Sequence, residues 1–137
     1  MGEFAAKIRA FVNQTEEDVA TAVKESAQRT MSIAQTPIRE GGKMPVVSAF
    51  LRNTGGAELN GMPSGPSRPD DGSPEEWSLG SISLVIAGYQ LGDSIGMAWS
   101  AIYARKAEEI HGFRDDAAMQ WQQTVEAVVR EIRMRVI

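Results

Sequence analysis

Half of the 26 positions at residues 53–78 are glycine, proline or serine (five, four and four), and four of the chain's six prolines fall there. Such a stretch resists regular structure, because proline has no amide hydrogen to donate and glycine loses the most backbone freedom on ordering. It divides the 137 residues into two flanks, neither large enough to fold alone. The expectation is therefore a single domain over residues 1–137. Residues 53–78 form a protruding arm or long hairpin loop within it, because loops of that length without structure of their own are usually functional or disordered. Trp77 marks the return to the core.

The flanks have clear periods. Val19, Val23, Ala27, Met31 and Ala34 recur at steps of three and four, which places them on one face of a helix. Thr15 followed by Glu16, Glu17 and Asp18 reads as an N-cap with an acidic first turn. Phe4, Ile8, Phe11 and Val12 share the period, as a separate short helix or a continuation bent near Asn13 and Gln14. Pro37 ends the run, since the residue before proline is driven out of helical geometry, and Gly41 and Gly42 break the chain again. Beyond the Gly/Pro stretch, Ile82, Leu84 and Ile86 alternate with smaller residues. Ile95, Met97, Trp99, Ala101 and Tyr103 do so too, with Gly92 and Asp93 between the two runs. That pattern predicts a hairpin of two strands. A last helix, capped by Asp115 and Asp116, carries the stripe Ala118, Trp121, Val125, Val128, Val129 and Ile132. If Trp121 lies in the core, Trp121→Ala should cost ~3–5 kcal/mol. The fold class read from these elements is α+β: N-terminal and C-terminal amphipathic helices packed on a small antiparallel sheet, with a long Gly/Pro-rich loop or arm.

Little in the chain supports chemistry. With no cysteine and one histidine, His111, the usual thiolate and imidazole ligand sets for a metal are missing. His111 stands in no triad-like pattern and reads as a loop histidine. Adjacent acids, such as Asp70 with Asp71 and Glu108 with Glu109, point apart rather than toward one substrate. Gly88, Gly92 and Gly96 do not match a phosphate-binding loop. Trp77, Trp99 and Trp121 read as core and interface anchors before a ligand-stacking set. No catalytic, cofactor or metal site is expected. The formal charge of −4 argues against gripping nucleic acid. Arg130, Arg133 and Arg135 suit the negative end of a helix dipole. No apolar run reaches the ~20 residues that span a bilayer, and Glu3, Lys7 and Arg9 interrupt any leader-like segment. The expected setting is the cytoplasm or something assembled there, with no membrane.

The order of several segments is distinctive. Ala34-Gln35-Thr36-Pro37 precedes Gly41-Gly42-Lys43-Met44-Pro45-Val46 and Phe50-Leu51-Arg52-Asn53-Thr54. Gly61-Met62-Pro63-Ser64, Trp77 and Leu91-Gly92-Asp93 follow, then Trp99, Tyr103-Ala104 and the final-helix run from Ala117 to Val125. In this order and spacing the chain resembles the HK97-type neck or tail-completion (head–tail joining) family of tailed-bacteriophage proteins, over nearly its whole length. It departs from the family at Val47-Ser48-Ala49, where an Asp-Thr-Gly-like turn is usual, and at residues 108–112, where a Glu-x-Gly is altered.

The resemblance implies a non-enzymatic virion protein at the head–tail junction, assembled in the host bacterial cytoplasm. It implies a homo-oligomeric ring, six-fold in the usual case, between the connector or head-closure proteins and the tail tube or terminator. DNA would pass through without specific binding. Inter-subunit contacts are expected among Phe50, Leu51, Arg52, Met62, Pro63, Trp77, Arg130 and Arg133. A tail terminator proper, a gene-transfer agent or tailocin-like particle, and a non-virion regulatory binding module are the alternatives.

Overall fold

The computed structural model describes residues 2–46, 50–63 and 79–135; the expected arm from residue 64 onward, including Trp77, lies outside them. The fold is α+β, mostly helical with one two-stranded antiparallel sheet. Helix α1 spans Gly2–Gln35 and is followed by a 3-10 turn at Ile38–Glu40 and a four-residue helix α2, Phe50–Asn53. Strand β1, Gly55–Leu59, and helix α3, Leu79–Ala87, precede strand β2, Ile95–Trp99. Helices α4 (Ala104–His111), α5 (Phe113–Met119) and α6 (Trp121–Arg135) complete it.

Helix α1 is continuous, which corrects the reading of Thr15 as an N-cap. In mid-helix the Thr15 hydroxyl donates to the Phe11 carbonyl at 2.9 Å, the usual way a threonine is accommodated there. The helix ends before Pro37 as expected. Its carboxyl end is then clamped by the Met44 amide donating to the Thr36 carbonyl and the Ile38 amide to the Met44 carbonyl, both 3.1 Å. Gly41 makes the intervening turn with φ +92°, a conformation that is strained for a residue with a Cβ.

The sheet differs from the expected hairpin. Residues 82–86 belong to helix α3, and β2 pairs instead with β1, inside the stretch read as loop, from Gly55 opposite Trp99 to Leu59 opposite Ile95. Ile82 and Ile86 are buried while Leu84 is 79% exposed. A run that alternates at 82, 84 and 86 also places 82 and 86 one helical turn apart, and in so apolar a segment periodicity alone does not decide. Of the two glycines that disguise β1, Gly55 is required by close approach, whereas a Cβ on Gly56 would meet only Pro63 at 3.9 Å. A Cβ on Gly55 would fall 2.5 Å from Gln35 Nε2 and 2.9 Å from Trp99 Nε1.

Two packed clusters meet at Trp99. Ala27, Met31, Ile82 and Ile86 bury one side of the sheet, and Met44, Phe50, Leu51, Ala101, Ala107 and Phe113 form the other cluster. The Trp99 ring stands edge-on to Phe113 at 4.9 Å and 79°, a favoured aromatic geometry. Gln35, almost wholly buried, accepts from Trp99 Nε1 at 2.9 Å and donates to the Arg52 carbonyl at 2.8 Å. One side chain thus ties α1 to α2 and to the sheet.

The expected last helix is two helices that part at Gln120, and its cap is not Asp115. The Glu108 carboxylate accepts from the Arg114 and Asp115 amides at 2.8 and 2.9 Å, closing the start of α5 from the preceding helix. The single histidine is the last residue of α4 rather than part of a loop. The face of α6 turned to α1 carries buried Thr124 and Val128, whereas Trp121 is 42% exposed and is not a core residue. Trp121→Ala should therefore cost about 1 kcal/mol or less, as surface substitutions do, rather than the core-sized loss. A urea unfolding midpoint close to that of the parent chain would bear this out.

The turn into β2 is held by an acid. Asp93 accepts from Asn60 Nδ2 at 3.1 Å and from the Gln90 amide at 2.9 Å, and these hydrogen bonds, Asn60's first, hold its carboxyl below the ordinary 3.8. A depressed folded pKa gives stability that is complete above the unfolded value and lost as pH falls through the folded one. The Gln90 amide resonance should accordingly titrate with a midpoint below 3.8, and Asp93→Asn should abolish that titration. An unmoved Gln90 resonance across that range would count against the turn geometry.

Candidate interaction surface

At 1.5 Å per residue, the 34 residues of α1 make a rod about 51 Å long. Among the described residues, only its second half is packed by the rest of the fold. Ser26, Ala27, Met31, Ala34 and Gln35 are its buried residues, held against α3, α5 and α6. From Gly2 to Glu17 every residue except Ala5 is exposed. Alanine, lysine, arginine and glutamate in that half are good helix formers, and Gln14 donates to Asp18 one turn on at 3.0 Å.

The exposed half is amphipathic all the same. Phe4 is 69% and Phe11 72% exposed, and Ile8, Val12 and Val19 are open as well. The steps between Phe4, Ile8, Phe11, Thr15, Val19 and Ala22 are four, three, four, four and three residues, so they lie along one stripe. An isolated exposed apolar side chain is ordinary; an aligned row of them indicates a contact surface.

The stripe runs into the junction with α6. Helices α1 and α6 lie antiparallel. Arg29 pairs with Glu131 and Arg135 Nη1 lies 2.7 Å from Glu25 Oε1. The hydrogen bond from Arg29 holds the Glu131 carboxyl below its usual range, and the one to Glu25 raises Arg135. Both pairs are solvent-accessible, where ion pairs fix orientation more than they stabilise. Where α6 ends, an open groove of about 480 Å³ is left, lined by Thr15, Val19 and Ala22 of α1 and by Val129, Ile132 and Arg133 of α6. A second depression of about 450 Å³ lies along α6 between Val125, Arg130 and Met134.

The residues expected at subunit contacts are scattered. Phe50 and Leu51 face inward, 5% and 2% exposed, as members of the chain's own core. Arg52 is half-buried and its carbonyl is held by Gln35. Met62 is exposed and Pro63 packs over Gly56; Trp77 lies outside the described residues. Arg130 and Arg133 are exposed beside the grooves and form no ion pair among the described residues. The structure thus brings Arg133 together with the apolar stripe of α1, which was read only as a helix face to be buried. The missed signal was that Phe4, Ile8 and Phe11 extend the period of the buried stripe by more residues than one 15-residue partner helix, α6, can cover.

Among the described residues no group of three or more His, Asp or Glu is placed to hold a metal ion, and none of their helices is long and apolar enough to cross a membrane. No protein-family model, curated protein or solved structure matches the chain.

Proposed function

We propose that this chain is a non-enzymatic structural protein of a tailed-phage-type particle, a head–tail joining protein that assembles into a ring between connector and tail and lets DNA pass. The observation that carries the reading is the ordered set of segments from Ala34 to Val125 that resembles the neck and tail-completion family. The way those segments are used adds support. Gln35, Arg52 and Trp99, drawn from three of them, meet at one hydrogen-bonded point, and Met44, Phe50 and Leu51, from two, share one cluster. The segments therefore define the architecture rather than decorate it.

The surface supports an assembly role as well. Half of a long helix stands free with an apolar stripe, a feature suited to helix-in-groove recognition between proteins. Ring contacts join two different patches and close by rotation, so exposed elements at separate places on the chain, such as Met62, Arg130 and the α1 stripe, are what such a ring needs. A place at the connector, joining or terminating the tail, belongs to the same proposal.

The test is made on particles. The chain should be found in purified virions by mass spectrometry, and deletion of its gene should leave filled heads and separate tails in electron micrographs. Normal joined particles without it, or a stable complex with one non-virion protein instead, would overturn the reading.

A further inference from the structure

We propose that the exposed half of α1 is covered by the same half of a second copy of this chain, the two helices running antiparallel. This goes beyond the head–tail reading and does not rest on it. Ring contacts are head-to-tail, whereas this pairing is two-fold and concerns the chain outside the ring.

Self-complementarity of shape is the first argument. The stripe is bulky at one end, with Phe4, Ile8 and Phe11, and small at the other, with Thr15, Val19 and Ala22. At the small end the α1–α6 groove is open. A reversed copy brings its phenylalanines to the other's small residues and groove, and the exchange is reciprocal. Large side chains facing small ones is the arrangement that fills space between helices.

Charge points the same way. Lys7 and Arg9 flank the bulky end, while Glu16, Glu17 and Asp18 flank the small end. A parallel pair sets like charges side by side; an antiparallel pair sets each basic end against an acidic one, and opposes the two helix dipoles. Arg133 lines the groove together with Asp18 and forms no ion pair among the described residues, so the approaching copy's Glu3 and Lys7 each have an opposite charge to meet there.

The area suffices. At ~150–250 Å² per phenylalanine, four rings exposed to about 70% hide roughly 400–700 Å². Ile8, Val12 and Val19 of both copies, with the polar flanks, carry the total past the ~1,000 Å² that a specific interface needs.

The full chain, of 14.9 kDa, should sediment as a dimer at tens of micromolar, and Phe4→Asp combined with Phe11→Asp should make it monomeric while it melts no lower than the parent chain diluted to its monomeric range, since neither ring belongs to the core. Reversing Lys7 and Arg9 to Glu should weaken self-association at least tenfold. Partnering that variant with Glu16→Lys, Glu17→Lys, Asp18→Lys should restore a mixed dimer. Direction is read separately, which the absence of cysteine makes clean. With a short bismaleimide, Ala5→Cys should join to Val19→Cys in a mixture of the two variants and not to itself. A monomeric parent chain, an oligomer indifferent to the Phe4 and Phe11 changes, or dominant Ala5–Ala5 cross-links would overturn the pairing. Because the readout is on the free chain and not on particles, this proposal and the head–tail reading can fail separately.

Discussion

Replacing Phe113 with alanine should lower the unfolding free energy by ~3–5 kcal/mol, the range for emptying a buried aromatic position. For a chain of this size that is a fall in melting temperature of roughly 10–20 °C. Phe113 is 2% exposed and sits where three elements converge. It opens α5, packs with Leu51 and Met44 from the segment before the sheet, and stands nearly perpendicular to the ring of Trp99 from β2. Relaxation into the space is hindered because its neighbours are tied elsewhere. Trp99 is held by Gln35 through its indole nitrogen, and the start of α5 is pinned by Glu108. Circular dichroism followed with temperature checks the value. A loss below about 1 kcal/mol, the size expected at a surface site, would mean that Phe113 is not enclosed between Trp99 and the cluster of Met44, Phe50 and Leu51.

Gly96→Ala should destabilise the chain by about 3 kcal/mol, the upper part of the range for overpacking, although it adds one methyl group to a strand. Its Cβ would stand 2.0 Å from the Gly61 carbonyl oxygen and 2.6 Å from Met62 Sδ. Methionine can swing aside, being unbranched and adaptable, but the Gly61 carbonyl is backbone. It follows directly on Asn60, whose amide donates to the Ser94 carbonyl at 2.8 Å and whose φ is +59°. Relief therefore requires either the turn after β1 to move or the pairing of Glu58 with Gly96 to open. Gly88→Ala is the matched control, since its Cβ meets only Leu59 Cδ1 at 3.4 Å and the Val85 carbonyl at 3.5 Å, and it should change stability by less than ~1 kcal/mol. Chemical denaturation of both variants decides the matter. Equal midpoints would contradict the close passage of residues 61 and 96.

The large effect expected at Gly96 and the mistaken hairpin have one origin. Glycine at residues 55, 56 and 61 lowers any strand or helix preference read locally, so β1 was legible only as loop. Its reason for being a strand lies 40 residues on, in β2. Likewise Ile82, Leu84 and Ile86 satisfy both an alternating and a helical period, and α3 is decided by which of them meets Met31 and Ala27 across the core. For the interaction surface, the residues of the stripe could all be read in order. That the period from Phe4 to Ala34 belongs half to the core and half to solvent was invisible, because it depends on where α6 stops against α1.

Local physics in the chain was enough for the helices at either end, the stop at Pro37 and the α+β class, since periodicity and proline stereochemistry act over a few residues at a time. Which strand pairs with which, that Trp121 faces outward while Phe113 is enclosed, and which apolar face is left uncovered were settled only in three dimensions. Those outcomes depend on contacts between residues far apart in sequence, where the volume and polar groups of one segment determine what another can bury.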